Sequence, residues 1–193
     1  MIDQINNYNI ILGSNSPRRK QILLDMGIKF TTMSSNADEQ VPKNIIATDH
    51  CTFLAKKKND ALKINLNKNE ILITADTTVV LGDIVLNKPL NSEDAFEILN
   101  KISGKEHIVL TGVCLSNINK QIIFAEKTMV KFQRLSEQEI KFYIKKHHPF
   151  DKAGSYGIQE WIGLIGIDYI KGSYTNVVGL PSSRLYNELN KFI

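Results

Sequence analysis

The chain has 193 residues, of which 42% are hydrophobic and 23% charged, and it carries a net charge of +4 at neutral pH. That length and composition suit one soluble globular domain over residues 1–193, or two intimately packed lobes, with a buried core, and exclude disordered and fibrous classes. The small basic excess suits one anion-binding cleft and does not demand a nucleic-acid partner.

Taken in order, Asn9 to Gly13 is a short apolar run that predicts a buried strand. Ser16-Pro17 opens a helix, with serine as N-cap and proline at the first helical position; Ile22, Leu23, Leu24 and Met26 form its apolar face and Gly27 ends it. Lys29 to Met33 reads as a second strand and Ser34 to Lys43 as a polar loop. Helical spacing runs from Ile46 to Leu66. Ile71 to Ala75 predicts a central strand, and Val79 to Leu86 a hairpin turning at Gly82-Asp83. Ser92 to Lys101 is a helix. His107 to Leu115 and Gln121 to Phe132 predict an antiparallel pair. Ser136 to Lys146 is a helix opened by the capping box Ser136-x-x-Glu139. The last third is glycine-rich and predicted irregular until a closing helix after Pro181. Strands that alternate with helices, some paired as hairpins, predict an α/β fold with a mixed sheet.

Cys51 and Cys114 lack any C-x-x-C spacing, so two buried free thiols in a reducing cytoplasm are expected. Met1 to Asn9 lacks the basic-then-apolar order of a secretory signal, and no apolar run reaches a membrane span.

Six segments carry candidate chemistry. Ser14-Asn15-Ser16-Pro17-Arg18-Arg19 joins a strand end to a helix start, where free N–H groups and the macrodipole favour an anion. Two arginines in that first turn oppose the macrodipole, so local stability would not choose them; guanidinium forks on phosphate, or a plain salt-bridged pair, would account for them. Asp76-Thr77-Thr78 directly follows the Ile71–Ala75 strand, where a carboxylate can hold a cation or take a proton from water, or make an Asx-turn. Asn36-Ala37-Asp38-Glu39 holds two adjacent acids that are simply solvated unless Asp76 comes near, in which case two carboxylates could share a magnesium ion. Lys88-Pro89 and Asp151-Lys152-Ala153-Gly154-Ser155-Tyr156-Gly157-Ile158-Gln159 offer lysines for phosphate and a glutamine for a base edge, or simply surface. Gly172 to Pro181 reads as a tight loop with scope for a phosphate contact. His107 is expected to be a sheet histidine, His147-His148 loop surface, and Lys56-Lys57-Lys58 a wet helix face. No G-x-x-x-x-G-K-[ST] or G-x-G-x-x-G motif is present.

In this order, "GSNSPRRKQIL", "ADTTVVLGDIVLNKP", "SGKEHIVLTGV", "DKAGSYGIQ" and "GSYTNVVGLP" resemble the Maf family of nucleotide pyrophosphatases over about Ile10 to Leu189. "SPRR" with "DKAGSYGIQ" resembles the branch acting on dTTP and UTP. The resemblance implies an elongated mixed α/β structure with two lobes around a central cleft, similar to the inosine triphosphate pyrophosphatases. It implies Asp76 as proton acceptor and Glu39 as an acid near metal and triphosphate. Ser14, Ser16, Arg18, Arg19, Lys88 and Lys152 become substrate contacts, and Arg18, Thr77 and Gln159 positions tied to base choice. The implied cofactor is divalent, magnesium or manganese, held by Glu39 and Asp76. The implied partner is a nucleoside triphosphate, with no nucleic acid or membrane and with a homodimer left open. Asn15, Asn87 and Ser182-Ser183 depart from the family pattern without removing a functional group.

The implied reaction is hydrolysis of a nucleoside triphosphate to the monophosphate and pyrophosphate in the cytoplasm. Two rivals stand beside it: the same chemistry on another non-standard nucleotide, and a non-enzymatic nucleotide- or nucleic-acid-binding protein linked to cell division.

Overall fold

The structure, a computed structural model, describes residues 2–35 and 37–193. Its centre is a seven-stranded mixed sheet in the order β2-β1-β3-β5-β6-β7, with β4 paired to β3 on the same edge as β1. After the short helix α1 (Ile2–Ile5), β1 (Asn9–Leu12) enters the sheet as a buried strand. Helix α2 (Pro17–Asp25) then crosses to β2 (Phe30–Thr32), parallel to β1. The Ser16 hydroxyl caps α2 as expected, and Gly27 takes φ +72° just beyond its end.

Helix α3 (His50–Leu62), flanked by 3-10 turns at Ala47–Asp49 and Lys63–Asn65, fills the predicted helical segment. It leads to β3 (Glu70–Leu81) and the hairpin strand β4 (Ile84–Leu86). Helix α4 (Ser92–Ile102) precedes the long antiparallel pair β5 (Glu106–Ser116) and β6 (Gln121–Phe132). Helix α5 (Glu137–His147) starts on a complete Ser136–Glu139 capping box.

Two expectations fail here. The central strand does not stop at Ala75: β3 continues through Asp76-Thr77-Thr78, which pair with Gly112, Thr111 and Leu110 of β5. The last third is also more regular than its glycines suggest. It holds α6 (Trp161–Gly166), an edge strand β7 (Ile167–Lys171) antiparallel to β6, α7 (Tyr174–Val178) and α8 (Ser182–Phe192). The three elements before α8 have five or six residues each, too short to show a period.

The pairing of β3 creates the cleft. On the edge away from β5, β1 covers residues 70–73 and β4 covers 79–81. Residues 74–78 fall in the gap between those two partners. Apolar side chains collect on either side of it. One cluster joins α2 and α8 to β1 and the first half of β3 through Leu12, Leu23, Ile73, Leu185 and Leu189. The other joins α4 and α5 to the far end of the sheet through Val79, Leu99, Val130, Ile140 and Tyr143. Two lobes thus share one sheet, with a cleft where the backbone partner of β3 changes. Among the described residues, no helix is long and apolar enough to cross a membrane.

Candidate active site

A cleft of about 380 Å³ opens at this gap. It gathers Ser14, Ser16, Arg18, Arg19, Glu39, Asp76, Thr77, Lys88, Lys152 and Gln159, so candidate residues from five of the six segments line one space, and Gly179 of the sixth lines it too. Asn36, at the head of the acidic loop, lies outside the described residues.

Asp76 is nearly buried, 9% exposed, on the polar stretch of β3. Its carboxylate accepts from the Lys58 ammonium at 2.6 Å, and the same ammonium lies 2.8 Å from Glu39. Lys88 approaches the other Glu39 oxygen at 3.5 Å. The Lys56-Lys57-Lys58 run is therefore not uniformly wet. Lys58 falls on the face of α3 that buries Cys51, Leu54, Ala55 and Leu62. That spacing is the signal that separates it from its neighbours.

Helix α3 is held close to the sheet by three features. Thr74 Oγ1 donates to the Ala55 carbonyl at 2.7 Å, and Asn59 donates to the Cys114 carbonyl at 3.2 Å. At Gly112, directly opposite Asp76 in register, a β-carbon would sit 2.5 Å from the Cys51 carbonyl. Partial burial pushes the Glu39 carboxyl up, but Lys58 and Lys88 outweigh it and hold it below its ordinary 4.5.

The two arginines part company. Arg18 reaches across the cleft to Asp151 at 2.7 Å. Arg19 donates from Nε to the Gly179 carbonyl at 2.9 Å, and from its two terminal nitrogens to Ser14 Oγ at 3.3 Å and Thr77 Oγ1 at 3.2 Å. Burial is the main force lowering its pKa from the ordinary 12.5. Thr111 donates its one hydroxyl proton to the Asn176 carbonyl at 2.9 Å, so in the 3.0 Å contact with Thr77 it is Thr77 that donates. The Thr77 hydroxyl is thus committed to the protein.

Lys152 is almost buried and meets Asp151 at 2.7 Å and Glu160 at 3.1 Å. Val79, Val109, Tyr156, Val177 and Val178 give the cleft an apolar wall, and exposed Gln159 stands at its rim. Behind Tyr156 its hydroxyl meets His107 Nε2 at 2.8 Å. Burial pushes His107 down to about 4, so it stays neutral and structural, as expected of a sheet histidine. His147 is the last residue of α5 rather than loop, its ring stacked on Tyr143. Cys51 and Cys114 are buried free thiols, each pushed up to about 12 by burial.

Five cationic side chains line the cleft against three carboxylates, Glu39, Asp76 and Asp151. Such an excess, in a partly dry site beside an apolar wall, is suited to an anionic ligand with a flat ring. The sequence signature of the family described as Maf-like protein matches residues 9–192. The chain belongs to the Maf family.

Its relatives in that family match it end to end. A protein of Phocaeicola vulgatus named dTTP/UTP pyrophosphatase is 47% identical over 99% of this chain and 100% of its own length. A Bacteroides thetaiotaomicron protein of the same name is 43% identical, with the same coverage of both chains. The solved Staphylococcus aureus Ham1 protein aligns with 93% of this chain and 99% of its own, at a TM-score of 0.47 and 14% identity.

For a divalent ion, the donor chemistry fits in part. The Lys58 ammonium shows that Glu39 and Asp76 converge on a point where a cation can stand. Among the described residues, no group of three His, Cys, Asp or Glu side chains converges. Two carboxylates without a third ligand suit magnesium-like binding, in which substrate phosphates and water complete the shell.

Proposed function

We propose that this Maf protein hydrolyses dTTP and UTP to the monophosphate and pyrophosphate, as one catalytic unit over residues 1–193. The observation that carries the reading is the position of Asp76. It is a nearly buried carboxylate in a strand gap, inside a cleft whose cations outnumber its acids. The names of the full-length relatives point to the same substrates.

The triphosphate lies against Arg18, Arg19, Lys58, Lys88 and Lys152, which spread its charge and that of the leaving group. The pyrimidine rests on the wall formed by Val79, Val109, Tyr156 and Val178. Gln159, with donor and acceptor on one amide, reads its O, N–H, O edge. Ser14 and Ser16 shape the turn at the start of α2, and Thr77 acts on base choice by holding Arg19 in place. Water attacks the α-phosphorus, its proton passes to Asp76, and the bond to the β-phosphate bridging oxygen breaks. Glu39 and Asp76 would hold a magnesium or manganese ion, which when bound supplies charge neutralisation on phosphate oxygens.

The deciding experiment is product analysis over natural and modified triphosphates, with magnesium, manganese or chelator. Pyrophosphate and the nucleoside monophosphate are expected from dTTP and UTP. Orthophosphate as first product overturns the cleavage position, and undiminished activity in chelator overturns the metal. Asp76→Asn, folded to the same melting temperature, should turn over roughly a hundredfold slower or worse; a rate within a few-fold of the parent removes Asp76 as the base.

A further inference from the structure

The Lys152 ammonium has two carboxylate partners with different freedom. Asp151 is mostly exposed, with 56% of its side chain in contact with solvent, and it is shared with Arg18. Glu160 is only 20% exposed. One Glu160 oxygen faces Lys152, and the other accepts from the Tyr143 hydroxyl. That hydroxyl in turn accepts from the Gly157 N–H at 3.0 Å. Tyr143 is fully buried on α5 among Ile140 and Ile144. At Gly157 a β-carbon would stand 2.7 Å from the Glu160 carboxyl carbon, so a larger residue there would push that carboxylate from its present place.

Folding alone does not ask for this arrangement. Asp151 already pairs with Lys152, and a second partly buried carboxylate on one ammonium adds desolvation. The benefit appears when an anion enters. Asp151 occupies the place between Arg18 and Lys152 that a phosphate would take, and from the surface it is free to leave. Lys152 would then keep four rotatable bonds and no partner unless something else holds it. We infer that Glu160, braced by Tyr143, is the positioning residue that keeps Lys152 aimed into the cleft while Asp151 gives way to the triphosphate. Lys152 donates a hydrogen bond to Asp151 and meets Glu160 as an ion pair at 3.1 Å, so the departure of Asp151 frees that donor for phosphate while the pairing with Glu160 stays. The inference rests on the reading of Lys152 as a phosphate contact.

A double-variant cycle on full-length protein tests it, with kcat, KM and melting temperature measured for K152M, E160Q, K152M/E160Q and Y143F on dTTP. K152M should lose about ten- to a hundredfold in kcat/KM, and E160Q about tenfold, with Y143F shifted the same way by less. The double variant should be no worse than K152M alone, because Glu160 acts through Lys152. A double variant worse by the full E160Q factor overturns the inference, as does E160Q with unchanged kcat/KM. Y143F leaves the carboxylate in place and removes only its brace; it carries the test if E160Q does not fold, and unchanged kcat/KM there has the same meaning. K152M with parental kcat/KM instead overturns the phosphate role of Lys152, and the inference falls with it.

Discussion

The Lys58 ammonium lies 2.6 Å from the Asp76 carboxylate, although eighteen residues and a change from helix to strand separate them. It also meets Glu39 at 2.8 Å, so one cation neutralises the two acids proposed to act on the substrate. Lys58→Met should leave those acids facing each other with less compensation. Turnover is expected to fall by about ten- to a hundredfold. Melting temperature should fall at neutral pH, and manganese should raise it more in the variant than in the parent, since the ion replaces a lost charge. Equal manganese shifts in both proteins would mean that Glu39 and Asp76 do not form a cation site.

Much of this site could be read in advance, and the exceptions have physical causes. Ser16-Pro17 and Ser136-x-x-Glu139 are local signals, and both caps form as expected. Ile71 to Ala75 was legible as strand because its residues are apolar, but Asp76-Thr77-Thr78 was not. These three pair with β5 through their backbone while Asp76 and Thr77 line the cleft, so polarity there marks the cleft rather than a strand end. Lys58 hid within a lysine run whose other members are surface residues. Glu160 and Tyr143 depend on a contact seventeen residues apart, which no local pattern encodes.

Acid should destabilise the protein in two stages. His107 is buried and held neutral down to about 4, whereas in the unfolded chain it takes a proton near its ordinary 6.5. The unfolded state therefore binds more protons between these values, and stability falls as pH drops through that window. Glu39 and Asp151 titrate below their ordinary 4.5 and 3.8 in the folded state. For Asp151, partial burial pushes up, while Lys152 and Arg18 outweigh it. Their contribution is complete above those ordinary values and is lost as pH falls through the lower folded ones. Urea unfolding from pH 7 to about 3 should show both stages, and His107→Phe should flatten only the upper one. A flat parental profile between 6.5 and 4 would contradict the burial of His107.

Gly112→Ala probes the seat of α3. The added carbon would lie 2.5 Å from the Cys51 carbonyl group and 2.6 Å from the Thr52 nitrogen, all backbone atoms that cannot rotate away. The helix must lift, at about 1–3 kcal/mol for overpacking. Lys58 rides on that helix, so activity should fall along with stability. Adding Cys51→Ala should not rescue either property, because the clash is not with the thiol. Rescue by that second change would show that the side chain, and not the backbone, sets the spacing.

Arg19 overturns the stability expected from its place in sequence. A cation in the first turn of α2 opposes the macrodipole, so its removal would be neutral or slightly stabilising if the side chain stayed near that helix end. Instead the guanidinium ties three elements together: the turn before α2 at Ser14, β3 at Thr77, and the end of α7 at Gly179. All three partners are neutral acceptors, so the charge remains uncompensated by any ion pair among the described residues. Arg19→Gln should therefore lower stability by about 1.5–3 kcal/mol, the scale of hydrogen bonds from a charged donor, and lower kcat/KM as well. Arg18→Gln is the control, since its partner Asp151 is exposed and the pair is worth about 0–1 kcal/mol. Arg18→Gln should leave melting nearly unchanged and weaken only the stabilisation that a non-hydrolysable triphosphate provides. If Arg19→Gln melts at the parental temperature, its three bonds do not brace the cleft, and the macrodipole argument regains its force.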